Sequence, residues 1–159
     1  RGFGSGGAHI DCARLLDREA RRELSWVIGG EPVCVAIEFV ASVPIRRVVV
    51  GFFVKDRLGQ ILFGDNTHVA TSACPVSLDA GGRAVALFPF HMPILPQGMY
   101  SADVAVADGT PSEHLQLEWI HDAFKLESRS TSTSTGLIGI PYGKIEIHKL
   151  RAAERAVAS

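Results

Sequence analysis

The chain has 159 residues, of which 47% are hydrophobic and 21% charged, and its formal net charge is −1. This length is typical of one globular domain, which buries roughly 70% of the surface of its unfolded chain. The near-neutral charge argues against binding to the phosphate backbone of nucleic acids or to an anionic membrane surface. The longest apolar run, residues 48–54, is too short to span a bilayer, so we expect no direct membrane insertion.

Cysteine usage and the N-terminal stretch indicate a reducing compartment. The three cysteines, Cys12, Cys34 and Cys74, are odd in number, far apart and without a CxxC pair, so we predict that they are reduced. Residues 1–7, RGFGSGG, lack the apolar segment of a signal peptide. We expect residues 1–5 to be a glycine-rich linker and the chain to be part of a longer protein.

The first half of the chain has the pattern of β-strands. Residues 9–15, HIDCARL, alternate between polar and apolar, whereas the overlapping residues 13–23, ARLLDREARRE, have helix-forming composition. We predict a strand followed by a turn there. Residues 33–39, VCVAIEF, also alternate, and residues 46–56, RRVVVGFFVKD, have the β-branched and aromatic composition of a strand covered on both faces.

Residues 55–67, KDRLGQILFGDNT, combine charges and glycines in a way that resembles either a catalytic loop or a hairpin. Asp56 can accept backbone hydrogen bonds at the start of a turn, and Gly59 can adopt a positive φ. We therefore predict a hairpin here, with a second turn at residues 64–66. A phosphate-binding loop needs GxxxxGK[ST], and the nearest approach, IGIPYGKI at residues 138–145, has isoleucine at both decisive positions.

The second half of the chain continues the strand pattern. Residues 83–92, RAVALFPFHM, contain Pro89, which favours an edge strand or a bulge. Residues 99–108, MYSADVAVAD, residues 113–127, EHLQLEWIHDAFKLE, and residues 144–150, KIEIHKL, are three further strand candidates. Strands at this spacing without helical patterns between them predict an all-β fold, a two-sheet antiparallel β-sandwich of about eight strands.

Two segments lack a core-forming pattern. Residues 128–136, SRSTSTSTG, cannot bury apolar area, so we predict a mobile connector. Residues 151–159, RAAERAVAS, favour a helix but are too few to form a stable one alone, so we predict a flexible C-terminal tail.

Several motifs together carry a resemblance to a known family. DRLGQILFGDNT at residues 56–67 resembles the signature hairpin of the C-terminal domain of Wzt, the ATPase subunit of ABC transporters that export O-antigen polysaccharide. LPQGMYSADVAVADG at residues 95–109 resembles the family's LPxGxY…VAVADG hairpin. Four shorter pieces match in order: residues 6–17 (GGAHIDCARLLD), 29–41 (GGEPVCVAIEFVA), 121–127 (HDAFKLE) and 136–141 (GLIGIP).

The resemblance implies an immunoglobulin-like sandwich over residues 6–150 that recognises the non-reducing end of a bacterial polysaccharide. It implies no enzymatic activity and no cofactor, since the Walker and signature motifs of the family's ATPase domain do not occur in this sequence. It further implies a homodimer that exchanges its last strand, and partnership with the ATPase and transmembrane subunits of a transporter. The expected location is the cytoplasm, at the inner membrane. A sandwich that only mediates protein contacts, and a glycan hydrolase, remain as alternatives.

Metal and hydrolase chemistry find little support among the residue patterns. The six histidines form no HxH or HExxH pair, so no metal site is predicted. No GxSxG elbow occurs, which argues against a Ser-His-Asp hydrolase. A glycosidase needs two carboxylates across one cleft, and most of the candidates fall at predicted turns or solvated faces: Asp56, Asp65, Asp103, Asp108, Glu118 and Asp122.

The segment LEWIHDAF, residues 117–124, is the strongest candidate for a glycan site. A change of strand phase across WIHD leaves Trp119 and His121 on one face, where an indole ring can stack on a sugar beside polar groups. A core role for Trp119 is the alternative. The predicted glycan-binding residues are Trp119, His121, Asp103 and Ser101, with Asn66 or His68 at one rim. An acidic sugar could also be attracted by Lys55, Arg46, Arg47 and Arg57, although exposed basic residues on strands also protect sheet edges.

Overall fold

The computed structural model describes residues 2–19, 21–110, 112–132 and 136–149. These residues form nine strands and one short helix, α1 (His68–Thr71). The strands are β1 (Gly2–Phe3), β2 (Ala8–Asp17), β3 (Trp26–Val27), β4 (Pro32–Ala41), β5 (Val48–Lys55), β6 (Ile61–Asn66), β7 (Arg83–His91), β8 (Gly98–Gly109) and β9 (His114–Ser128). The predicted C-terminal tail lies outside the described residues. In the described part of the chain, no helix has the length and apolarity needed to cross a membrane.

The strands form two sheets. The larger sheet has the order β1-β9-β8-β5-β6, and β3 pairs with the end of β9. The smaller sheet has the order β2-β4-β7. Every pair is antiparallel except the short β3–β9 pair, which is parallel. The predicted two-sheet β-sandwich is therefore confirmed.

The core lies between the sheets and follows the period-2 pattern of the strands. On β8 the apolar side chains that alternate into the core are Tyr100, Ala102, Val104 and Val106, and Asp103 and Ala107 on the other face are buried as well. The central strand β4 is buried on both of its faces over most of its length. Burying each Val, Ile or Phe side chain stabilises the fold by about 1.5–3 kcal/mol, so this layer provides most of the driving force for folding.

The hairpin between β5 and β6 accounts for the charges and glycines of KDRLGQILFGDNT. The Oδ1 atom of Asp56 accepts backbone hydrogen bonds from Leu58 (2.8 Å) and Gln60 (2.9 Å), and Gly59 has φ +83°. These features are turn chemistry, as predicted. The second turn predicted at residues 64–66 is wrong, because those residues continue β6 and pair with β5.

Other local predictions have mixed outcomes. Residues 9–15 form a strand rather than a helix, and Pro89 lies on β7, an edge strand of the smaller sheet. Gly2 and Phe3, within the stretch expected to be a linker, pair with β9. Ser128 and Ser130, at the start of the expected mobile connector, are buried.

The segment KIEIHK, residues 144–149, is exposed and belongs to no strand in the described structure. Its alternation suits a sheet, but a strand needs a partner to satisfy its backbone groups, and within the described part of this chain these residues are not paired with any strand. Whether it pairs with a second copy stays a prediction.

Candidate functional site

The candidate site lies on the outer face of the larger sheet, away from the smaller sheet. Two register shifts interrupt the β8–β9 pair, between Ala102 and Val104 and between Val106 and Ala107. Such β-bulges bend a strand and increase its local twist, so they shape the face into a shallow groove. The groove has a volume of about 500 Å³.

One row of paired residues crosses the groove. Trp119 on β9 pairs with Ala105 on β8, Ala105 pairs with Gly51 on β5, and Gly51 pairs with Asn66 on β6. An indole ring therefore stands at one side, two small residues form the floor, and an amide lies at the far rim. Three strand spacings separate the rims, a width of roughly 14 Å. The rest of the lining is mixed: Val49, Phe53 and Ile61 are apolar members, and Asp65, Thr110, His114 and Gln116 are polar ones.

Asp103 organises the end of the groove beside Trp119. Its side chain is only 2% exposed, although it lies on the outward phase of β8. The carboxylate fills the bulge opposite residues 121–123 and accepts four hydrogen bonds. Oδ1 accepts from the Asp122 backbone N–H (3.0 Å) and Lys55 Nζ (2.7 Å). Oδ2 accepts from His121 Nδ1 (2.5 Å) and Trp119 Nε1 (3.3 Å). A buried charge is stable only when it is paired and hydrogen-bonded in this way.

Interactions among their side chains keep Asp103, Lys55 and Asp122 ionised. Burial raises the pKa of Asp103, but the hydrogen bonds from Lys55, the Asp122 backbone and His121 outweigh it and lower the pKa to about 2. The hydrogen bond to Asp103 raises the pKa of Lys55. The Ser101 hydroxyl, followed by Lys55, lowers the pKa of the Asp122 carboxyl. Asp103 and Asp122 are thus carboxylates at neutral pH, and Lys55 is their counter-ion.

The ionised Asp103 also determines how His121 is presented. A carboxylate can only accept, so the Nδ1 atom of His121 must donate to it. In the neutral imidazole this leaves Nε2 as an acceptor. The His121 side chain is 50% exposed, so this acceptor is available to a ligand beside the groove.

Trp119 is held between two other rings. The ring of Phe3 lies nearly parallel to the indole, at 16° and 5.8 Å between centroids. The ring of Phe53 meets the indole edge-on, at 65° and 5.6 Å. Together with the hydrogen bond to Asp103, these contacts restrain a half-buried ring on the groove wall.

A comparison with models of protein families shows to which family the chain belongs. The family model "Wzt C-terminal domain" matches residues 1–140. The chain belongs to the Wzt C-terminal domain family. No curated protein matches the sequence.

Solved structures agree with this membership at the level of the fold. The crystal structure of the C-terminal domain of Wzt has a TM-score of 0.81 at 20% identity, over 92% of this chain and 88% of that chain. A Niemann-Pick type C2 protein from the Japanese carpenter ant has a TM-score of 0.56 at 12% identity, over 81% of this chain and 98% of that chain. At these identities the similarity concerns the fold alone.

The predicted site residues of this Wzt domain only partly converge. Trp119, His121 and Asp103 are joined by hydrogen bonds, and Ser101 connects to them through Asp122. Asn66 lines the groove across from Trp119. His68 lies on α1, outside the groove lining, and its backbone N–H donates to the Asn66 side chain at 3.0 Å. The phase change predicted across WIHD is present as the bulge opposite Asp103.

Some residues of the site were not assigned to it from the sequence. The sequence predicts Lys55 only as an attractor of acidic sugars, whereas the structure pairs it with Asp103 and Asp122. Its position on the same strand phase as Phe53 was the available signal. Gln116 was missed as well. Its Nε2 atom donates to the backbone oxygens of Val106 (3.1 Å) and Glu118 (3.0 Å), filling the second bulge.

Metal chemistry has no support in the described residues, where no three of the His, Cys, Asp and Glu side chains are placed to hold a metal ion. General acid catalysis by Asp103 is also disfavoured. A glycosidase needs one carboxyl with a raised pKa, whereas the pKa of Asp103 is lowered.

Proposed function

We propose that this domain recognises the non-reducing end of a bacterial O-antigen polysaccharide without catalysis, so that completed chains are exported by an ABC transporter. The observation that carries the proposal is the row from Trp119 across Ala105 and Gly51 to Asn66. Family membership supports the transporter context.

The row supplies what a sugar ring requires. The indole of Trp119 offers a face on which the C–H groups of a pyranose stack, as aromatic side chains do with other flat apolar surfaces. The small side chains of the floor let the ring approach the sheet closely. His121 and the polar rim residues then form hydrogen bonds with the sugar hydroxyl groups. Recognition therefore depends on a few directional hydrogen bonds rather than on a deep apolar pocket.

The charge of the groove favours an uncharged sugar end. Among the described residues that line it, none is Lys or Arg. The nearby Lys55 is paired with two carboxylates. The backbone N–H groups of Arg46 and Arg47 donate to Asp108, at 3.3 and 2.9 Å, and their side chains are absent from the groove lining. A phosphate or carboxylate on the terminal sugar would therefore find no free cation in this groove.

Binding of lipid-free O-polysaccharide from the bacterium that carries this chain tests the proposal by calorimetry. We expect saturable binding to the wild-type protein and no release of sugars on prolonged incubation. Trp119→Ala should weaken binding at least tenfold, about 1.4 kcal/mol, because the stacking surface is lost. Ala105→Phe should weaken it similarly by filling the floor.

The matched control is Val85→Phe, which adds a ring on the exposed face of the smaller sheet. It should bind like the wild type. Absence of binding by the wild-type protein would overturn the proposed function. Normal binding by both groove variants would move the glycan to another face, and unfolding of Trp119→Ala alone would assign that ring to the core.

Assembly is the second part of the proposal. Within residues 137–149, the described part of the C-terminal segment, five large apolar side chains are exposed: Leu137, Ile140, Tyr142, Ile145 and Ile147. Exposed apolar residues on a strand-like segment favour pairing with another chain. We propose a homodimer in which this segment joins the partner's sheet, acting with the ATPase and transmembrane subunits of the transporter on the cytoplasmic side of the inner membrane.

A further inference from the structure

The short strand β1 lies against the edge of β9 behind the proposed glycan site. Gly2 pairs with Ile120 and Phe3 pairs with Trp119. The chain then continues along β9, where the backbone N–H groups of Ser5 and Gly6 donate to the oxygens of Gln116 (3.0 Å) and Leu117 (3.1 Å). The N-terminal segment is thus an ordered part of the larger sheet.

Phe3 pairs with Trp119 and so adds one residue to the row that crosses the groove, on the side of Trp119 away from Ala105 and Gly51. Its strand pairs with the edge of β9 opposite to β8, so Trp119 stands between Phe3 and the groove. Phe3 is absent from the residues that line the groove, whereas Trp119 and Phe53 both line it. The nearly parallel Phe3 ring therefore packs against the indole from the β1 side, while Phe53, which lines the groove, meets the indole edge-on.

Core burial does not explain the position of the Phe3 side chain. It is 56% exposed, and its ring contacts are Trp119 and His121, the latter at 5.5 Å between centroids. Both contacted rings belong to the proposed glycan site. Of the two other restraints on the indole, Phe53 meets it edge-on, and its hydrogen bond to Asp103 is long at 3.3 Å and shares Oδ2 with His121.

We propose that Phe3 is a positioning residue, and that β1 holds the rings of Trp119 and His121 in the orientation that faces the glycan. This inference rests on the proposed function. It also has a reciprocal consequence: if docking of β1 favours glycan binding, then glycan binding favours docking of β1 by the same factor. Occupancy of the groove is thereby linked to the placement of the chain at Gly2.

Substitutions at Phe3 test the inference in a Trp26→Phe background, where Trp119 is the remaining tryptophan of the chain. We expect Phe3→Ala to weaken O-polysaccharide binding about tenfold, to shift Trp119 fluorescence, and to leave the far-UV spectrum unchanged. Phe3→Tyr keeps the ring and should bind within twofold of the parent. Leu87→Ala, which removes a similarly exposed side chain on β7, is the matched control and should also bind normally.

The variant Gly4→Ala tests the same inference without changing any aromatic ring. A Cβ added at Gly4 would lie 2.2 Å from the backbone oxygen of Leu117, so Gly4→Ala should displace β1 from β9. We expect the same loss of binding and the same fluorescence change. In the Trp26→Phe parent protein, hydrogen exchange at the backbone amides of the N-terminal peptide should slow when O-polysaccharide is added.

The outcomes separate this inference from the function on which it rests. No binding by the parent protein overturns both. Binding by the parent together with normal binding by Phe3→Ala and Gly4→Ala overturns only the role of β1. If Phe3→Ala unfolds, Phe3→Leu preserves apolar volume without the ring, and normal binding by that variant overturns the inference equally.

Discussion

At the scale of single residues, Asp103 shows how one buried charge organises a surface. On the β9 bulge its carboxylate accepts hydrogen bonds from the Asp122 backbone N–H and the His121 ring. It also accepts from the indole of Trp119 and from Lys55 on β5. It therefore joins three strands and orients both rings of the proposed glycan site. Asp122 has φ +52° at this point, a conformation that a non-glycine residue adopts only where its surroundings compensate for it.

The lowered pKa of Asp103 predicts a specific loss of stability in acid. Because the pKa is about 2 in the folded protein against 3.8 for an unperturbed group, the ionised carboxylate stabilises the fold above pH 4. This contribution, about 2 kcal/mol, is lost as the pH falls from 4 towards 2. Urea unfolding of the wild type and Asp103→Asn at pH 6 and pH 2 measures it.

We expect the stability advantage of the wild type over Asp103→Asn to shrink by about 2 kcal/mol between those two pH values. The comparison cancels the other carboxylates, which both proteins share. A difference that does not change with pH would contradict the hydrogen-bonded, ionised state of Asp103.

At the scale of elements, the β5–β6 hairpin depends on close backbone contact. Gly64 pairs with Phe53, and a Cβ added at Gly64 would lie 2.2 Å from the backbone oxygen of Phe52. Asp56 closes the turn at the other end of the hairpin. Since β6 forms one edge of the groove, the hairpin also positions Asn66 opposite Trp119.

Gly64→Ala should accordingly destabilise the domain by about 2 kcal/mol or more, because the backbone of β5 or β6 must shift to admit the methyl group. Thermal or urea unfolding gives the value. Gly143→Ala is the matched control, since a Cβ there meets no atom within 4 Å, and it should leave stability nearly unchanged. Equal stability of the two variants would show that the hairpin tolerates displacement.

At the scale of the whole molecule, the edges of the two sheets differ in how far other segments cover them. β1 and β3 cover the edge of β9, and the carboxylate of Glu118 accepts a hydrogen bond from the Ile10 backbone on β2. β7 has a pairing partner on one side only among the described strands. A strand-like, exposed segment at residues 144–149 in the same chain is therefore a suitable partner for an edge in a second copy.

Removing residues 143–159 tests this assembly while keeping Ile138 and Gly139, which contact the core and Ile94. We expect a dimeric wild type and a monomeric or insoluble truncated protein, as measured by light scattering after size exclusion. A truncated protein that stays a folded dimer would refute exchange of residues 144–149, though not dimerisation.

The sequence by itself determined the sandwich, because alternating side chains can satisfy both water and a core only as strands of a two-layer fold. It also determined the β5–β6 hairpin, where Asp56 and Gly59 act through neighbouring residues. The family followed from several short motifs in order, and the family model bears it out. All of these depend on local pattern, which is readable along the chain.

Only the tertiary structure decided how the candidate site is assembled. The row from Phe3 through Trp119, Ala105 and Gly51 to Asn66 joins five strands, and its register depends on bulges that no local pattern specifies. Asp103 reads as an exposed strand residue, yet it is buried because β9 bulges around it. The physical reason is that register and burial are set by contacts between residues far apart in sequence, whereas periodicity reports only neighbours.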